Sequence, residues 1–489
     1  MKSDCRMIPA CLLFVPWLLV SLYSQDSPLG RAESLLKQGH AQDALQILLE
    51  LHRAQPSNAN VCQQIGIAYT QLQELPQAEK FYREAVRLNP HFWAARKNLG
   101  TVLWFLNRQQ ESEREFEAVT KALPGDPVPH LYLGLAAHAR REFSQAKMQF
   151  EKAGALASEN PEVLPAVLES YLAAGNPGVP QRMVEQLAAA ESPDPALLSR
   201  AGVLCLQYRY DRGAVAMFEK LIATHKDTAE IWRLLAEAYD RQGKPEPAYR
   251  AYARSIEADP NSEETYIALA EFASAHGNND YALQAAARGL ARLPKSPGLL
   301  FERGMLWALQ GDRKKAESSL TEASRLKPLW NLPWLALGVA QLESGDGAQA
   351  AISLRKARAL DPHDFRAHYL YATALARESQ RTSARNRTEA IAALRKAIEL
   401  NPSDARPHAL LGQLEMSAGN PNAAALAWQA ALKIDPHNGV ALYQLGLLYQ
   451  KQGRSEEAKQ LLQRFQSVKT KTRSNEESLV QILRVVPPK

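Results

Sequence analysis

Seven glycines, Gly66, Gly100, Gly134, Gly304, Gly338, Gly412 and Gly446, recur at steps of 34 residues wherever the pattern is uninterrupted, and Pro90, Pro124, Pro328, Pro362 and Pro436 each follow one of them by 24 residues. A chain that repeats one spacing over most of its length is built from small modules that bury their apolar faces by stacking. The copy at 59–92 shows what a module is. Cys62, Ile65, Gly66 and Tyr69 lie at helical spacing, and so do Ala78, Phe81, Tyr82 and Ala85. Two amphipathic helices are predicted. Gly66 and Ala78 carry little or no side chain, so the two helices can approach closely. Pro90 lacks the N–H that would continue the second helix, and it sets the turn into the next module.

These residues and their spacing resemble the tetratricopeptide repeat, a helix-turn-helix module of 34 residues. The resemblance implies an all-α fold, a right-handed α-solenoid (superhelix) of about thirteen repeats. Carried along the chain, the register starts repeats near Gln25, Ala59, Trp93, Pro127, Leu164, Pro195, Ala229, Glu263, Pro297, Asn331, Phe365, Ala405 and Gly439. Four repeats (25–163) are expected to precede a degenerate one (164–194), where prolines at 165, 177, 180, 193 and 195 predict irregular packing and an internal boundary. Eight more repeats fill 195–472. Within the repeat from Phe365, the stretch Arg377–Arg387 reads as an extra polar, mostly basic loop in solvent. After the array, Leu479, Ile482, Leu483 and Val486 make one apolar stripe, predicting a capping helix within 473–489.

The composition, 46% hydrophobic and 22% charged, excludes disordered, collagen-like and multi-span membrane classes. A net charge of +6 spread along the chain gives no basic stripe for nucleic acid. Cysteines at 5, 11, 62 and 205 have neither metal-ligand nor disulfide-scaffold spacing, and Cys62 and Cys205 fall at apolar helix positions, as buried thiols would. Lys2 and Arg6 precede a charge-free run from Met7 to Gln25 with an apolar centre at Leu12–Val20, so 1–24 reads as a signal peptide or an uncleaved signal anchor. Either places the repeats outside the cytoplasm, in the periplasm or on the outer face of a bacterial inner membrane, and the anchor is the only membrane contact expected.

No nucleophile elbow, zinc-protease helix, P-loop or dinucleotide fingerprint occurs, so no catalytic, cofactor-binding or metal-ligating residue is assigned. His130 with His138, and His363 with His368, lack carboxylates placed to orient them and read as packing or surface histidines. With 24 residues before the array and 17 after it, no separate catalytic domain is expected. The resemblance further implies a concave groove lined by the first helices, where such arrays take partner peptides or helices. The family's lysine and asparagine clamp for C-terminal carboxylates is incomplete: Lys97 and Asn98 are present, but Thr101 and Tyr132 replace asparagines. The register puts two apolar groups in the groove: Thr101, Trp104, Phe105, Leu131 and Leu135, and Phe301, Met305, Leu332, Leu335, Val339 and Leu342. Glu230, Glu237, Asp240, Glu264 and Glu271, with Arg233 and Arg241, form an acidic stretch between them. A partner segment with apolar anchors and a basic middle would fit. The same apolar residues would equally serve to fill the inside of a tight superhelix. The expected role is a non-catalytic protein-binding scaffold of the cell envelope, resembling exported arrays in pilus assembly and polysaccharide secretion. An accessory subunit of an enzyme on another chain is the alternative.

Overall fold

The computed structural model describes residues 27–175, 178–224, 228–377 and 384–471; the leader segment and the capping stripe after 472 fall outside these residues. Among the described residues there are twenty-seven helices and no strand. Apart from the short helix Ala155–Ser158, they come in pairs. The first helix of successive pairs begins at Ala59, Trp93, Pro127, Leu164, Pro195, Ala229, Glu263, Pro297, Asn331, Phe365, Ala405 and Gly439, the residues at which the 34-residue register opens a repeat.

The glycine of each repeat owes its place to the side chain sixteen residues further on. A Cβ added to Gly66 would come within 2.6 Å of the Tyr82 ring, one on Gly134 within 2.6 Å of Phe150, and one on Gly412 within 2.4 Å of Trp428. At Gly338 it would meet Leu354 Cγ at 2.3 Å. The second helix thus lays a large side chain on the bare backbone of the first. Where that side chain is small, as Ala286 in the repeat from Glu263, the glycine position holds Ala270 instead, and both are buried.

Two local rules shape the turns between repeats. The residue before the proline accepts from the amide two places on, as Asn89 from His91 (3.1 Å), Asp259 from Asn261 (2.9 Å) and Asp435 from His437 (2.9 Å). Two residues after the proline, Asp126, Ser262, Ser296, Asp404 and Asn438 each cap the next helix through the side chain. A third regularity holds the turn to the helix it feeds. Arg96, His130, Tyr266, Trp334 and His368 all bond the proline carbonyl six residues back, at 2.9 to 3.2 Å.

The described chain forms two compact units. The N-terminal unit extends to Asp227 and includes Leu234–Ala248; the C-terminal unit holds Thr228–Arg233 and continues from Tyr249. The proline-rich repeat, expected to mark the internal boundary, lies inside the N-terminal unit. Its helices Leu164–Ala173 and Gly178–Ala189 touch each other little; the first leans on Phe143–Ala153 and Pro195–Gln207, the second on Asp211–Thr224. In the C-terminal unit, part of the expected basic loop is helical: Arg377 ends one helix, and Arg385, Asn386 and Arg387 open Ala384–Leu400.

Candidate functional site

The residues assigned to a groove lie on the first helices of the pairs. In the N-terminal unit, Trp104 meets the edge of Tyr132 at 5.4 Å, and Tyr132 stacks on Phe116 at 5.0 Å. Burial pushes the Tyr132 hydroxyl up to about 12. Thr101 turns its hydroxyl back to the Lys97 carbonyl (3.1 Å), and Lys97 pairs with Asp126 at 2.7 Å. Lys97 is therefore already engaged within the fold. Leu135 is half-buried and Phe105 is 37% exposed, so Trp104, Phe105 and Leu135 form an accessible apolar strip. Leu131 corrects the expectation: it is buried in the interior.

The second apolar group differs more. Leu335 is 0% exposed, and Met305, Val339 and Leu342 are also buried, in one core cluster with Leu370, Tyr371 and Ala374 of the next repeat. Only Phe301 and Leu332 remain half-buried, packed against that cluster. Met305, Leu335, Val339 and Leu342 are thus interior side chains rather than an open lining. The physical reason is crowding along the first helices of this stretch. In the helix Phe365–Arg377 even the polar Arg366 and Thr373 are buried.

The acidic residues divide between the units. In the C-terminal unit Glu230, Glu264 and Glu271 are exposed and Arg233 is half-buried; in the N-terminal unit Glu237 and Asp240 are half-buried. Arg241 is bound to Glu237 and donates to the Leu206 carbonyl at 2.6 Å. This second bond belongs to a pattern that the sequence reading missed. Gln71 donates to the Leu36 carbonyl (3.1 Å) and Arg377 to that of Leu342 (3.0 Å), so residues at the same place in three repeats satisfy the carbonyl end of the preceding first helix. Arg241 is a structural donor as well as a charge.

Other polar side chains cluster without making a reaction centre. Glu169 accepts from Tyr208 (2.9 Å) and pairs with His138 Nε2 (2.9 Å), joining three first helices of the N-terminal unit. His130 and His368 hold proline carbonyls, as packing histidines do, and burial pushes His368 below the usual imidazole range. Cys62 and Cys205 are buried free thiols; burial raises both, Cys205 to about 12. Asp364 and Arg366 form an ion pair at 2.8 Å with side chains only 1% and 5% exposed. Among the described residues no group of three or more His, Cys, Asp or Glu is placed to hold a metal, and no helix is long and apolar enough to cross a membrane.

Models of the tetratricopeptide repeat family match residues 29–91, 64–127, 335–405 and 381–439, residues 229–272, and residues 415–470. No curated protein sequence matches. Among solved structures, Cut9 in the APC/C hetero-tetramer Cut9-Hcn1 is 15% identical with a TM-score of 0.39, over 94% of this chain and 96% of that one. Yeast Tom70 is 14% identical with a TM-score of 0.37, over 94% of this chain and 98% of its own. PilF of Pseudomonas aeruginosa is 21% identical with a TM-score of 0.38, over 46% of this chain and 96% of its own.

Proposed function

Because the chain belongs to the tetratricopeptide repeat family, we propose that it is a non-catalytic scaffold of the cell envelope that holds a partner peptide or helix on the first-helix face of its N-terminal unit. The observation that carries this reading is the accessible strip of Trp104, Phe105 and Leu135, with Trp104 braced against Tyr132. Apolar side chains of this size left half-open on a rigid helix stack are suited to anchor a partner's apolar residues. The exposed Glu230, Glu264 and Glu271 give the C-terminal unit its own preference for basic segments. Export is supported by the charge-free run from Met7 to Gln25 behind Lys2 and Arg6.

Purification from solubilised envelope, with partners identified by mass spectrometry, tests the whole reading. The double variant Trp104→Ala, Phe105→Ala should weaken partner capture by on the order of tenfold or more, with helicity and melting nearly unchanged. Full retention of partners by a folded variant would move the binding surface elsewhere. Recovery of the wild type in the cytosolic fraction alone would end the envelope assignment. An enzyme as the captured partner would make the chain its accessory subunit.

A further inference from the structure

One turn between repeats departs from both local rules described above. Lys327 stands before Pro328, where most repeats place an Asn or Asp that folds the turn, although Leu123 and Leu293 also depart from this. Trp330 occupies the cap position of the helix Asn331–Ser344 and, like Phe92, makes no side-chain cap bond, but here both rules fail in the same turn. Between Lys327 and Trp330, Leu329 is 84% exposed, the highest value for a large apolar side chain among the described residues. The corresponding residues of other turns include Asn261, Lys295, Ser403 and His437, all polar. A turn that breaks both rules at once, and puts leucine and tryptophan there, points to a function for that place.

The surroundings indicate which function. Trp330 rests on Phe301 at 5.0 Å, and Trp334 ties its indole N–H to the Pro328 carbonyl at 3.2 Å, so the tip has a rigid base. Lys327 Nζ sits 5.1 Å from the Trp330 ring centre and Lys356 Nζ 4.4 Å from that of Trp334. Ile352, one helical turn before Lys356, is 57% exposed and extends the apolar surface. Among the described residues neither ammonium makes an ion pair within 4.0 Å. The result is a protruding leucine, half-exposed indoles beside it and lysines over the indoles. A protein anchor is ordinarily one of several residues in a flat or concave patch. A strongly exposed leucine with half-exposed indoles beside it and a lysine on each indole suits the layered interface of an anionic bilayer, where tryptophan settles at headgroup depth and lysine meets phosphate.

We propose that the Lys327–Trp330 turn is a lipid-docking tip, which inserts Leu329 and the Trp330 edge into an anionic membrane surface while Lys327 and Lys356 contact headgroup phosphates. The tip and the partner-binding strip share no residue, so either proposal can fail alone. The test uses the full chain carrying Cys5→Ser and Cys11→Ser, with Leu329→Cys bearing an environment-sensitive fluorophore. Vesicles of phosphatidylcholine, with and without phosphatidylglycerol, are added. With phosphatidylglycerol the emission should shift to the blue and be quenched by brominated acyl chains. The same label at Ser403→Cys, in a polar turn, should stay silent. Adding Lys327→Gln with Lys356→Gln should abolish the dependence on anionic lipid. Since residues 1–26 are common to every variant, co-flotation alone does not count as support. An unshifted, unquenched label at 329 on vesicle-bound protein overturns the proposal, as does a shift that ignores lipid charge. A label silent on vesicles but shifted by an added protein partner overturns it too, and assigns the tip to protein docking.

Discussion

The two compact units build the same turn from different residues. Between the helices of a pair one residue takes the left-handed conformation. In the five turns described in the C-terminal unit it is glycine: Gly277, Gly311, Gly345, Gly419 and Gly453 have φ between 76° and 85°. The N-terminal unit has glycine at Gly39, Gly175 and Gly243 but Gln73, Asn107, Arg141 and Arg209 at the other four turns, with φ between 59° and 62°. The geometry is demanded by the helix pair, so a side chain there is tolerated at roughly 1–2 kcal/mol of strain. The units also differ in charge. The N-terminal one links Arg83, Glu79, Arg108 and Glu111 in a largely open network, whereas the C-terminal one buries Asp364 with Arg366. Four turns of the N-terminal unit thus carry backbone strain, and the C-terminal unit, which has open ion pairs such as Arg325 with Glu322 as well, holds one pair in its interior.

The largest test of this contrast removes one charge from each. Arg366→Met leaves Asp364 buried without its partner and should cost about 3–5 kcal/mol, read as faster amide exchange across the C-terminal unit. Arg108→Met, in the open network, should barely move the exchange of the N-terminal unit. Equal effects would erase the electrostatic half of the comparison. Next comes Gly338→Leu, which must displace Leu354 and should cost about 1–3 kcal/mol; unchanged melting would refute the pairing of these positions. The smallest effects come from exchanging the turns. Gly311→Gln should lose about 1 kcal/mol and Gln73→Gly should gain about 0.5–1 kcal/mol. An added Cβ at Gly311 meets nothing within 4 Å, so the first change is purely one of backbone. Both shifts in the same direction would mean that the turns are not equivalent.

This contrast also marks what could be read from the chain. Glycine and proline spacing fixed the start of nearly every helix pair, because close approach at Gly66 or Gly338 and termination at Pro90 or Pro328 each demand one residue type. The strained turns left no such sign, since Gln73 and Arg209 look like ordinary surface residues. Donors to the proline carbonyl were hidden differently. Arg96, His130, Tyr266, Trp334 and His368 share an N–H or O–H at one reach, not a residue type. Leu335 and Val339 were misplaced because helical periodicity shows which stripe is apolar, not which neighbour comes near enough to cover it. That depends on the stacking of one pair on the next, which no single repeat encodes.

The bonds from Gln71, Arg241 and Arg377 to the preceding first helix bear on how such an array can grow. Their acceptors are the main-chain carbonyls of Leu36, Leu206 and Leu342, which any residue would supply. A duplicate of one of these three cassettes therefore brings its own donor and finds an acceptor wherever it lands in register. Copy number can change by recombination without matched changes in flanking sequence. A point change at a donor, by contrast, is felt one cassette upstream, by a helix whose own codons are intact.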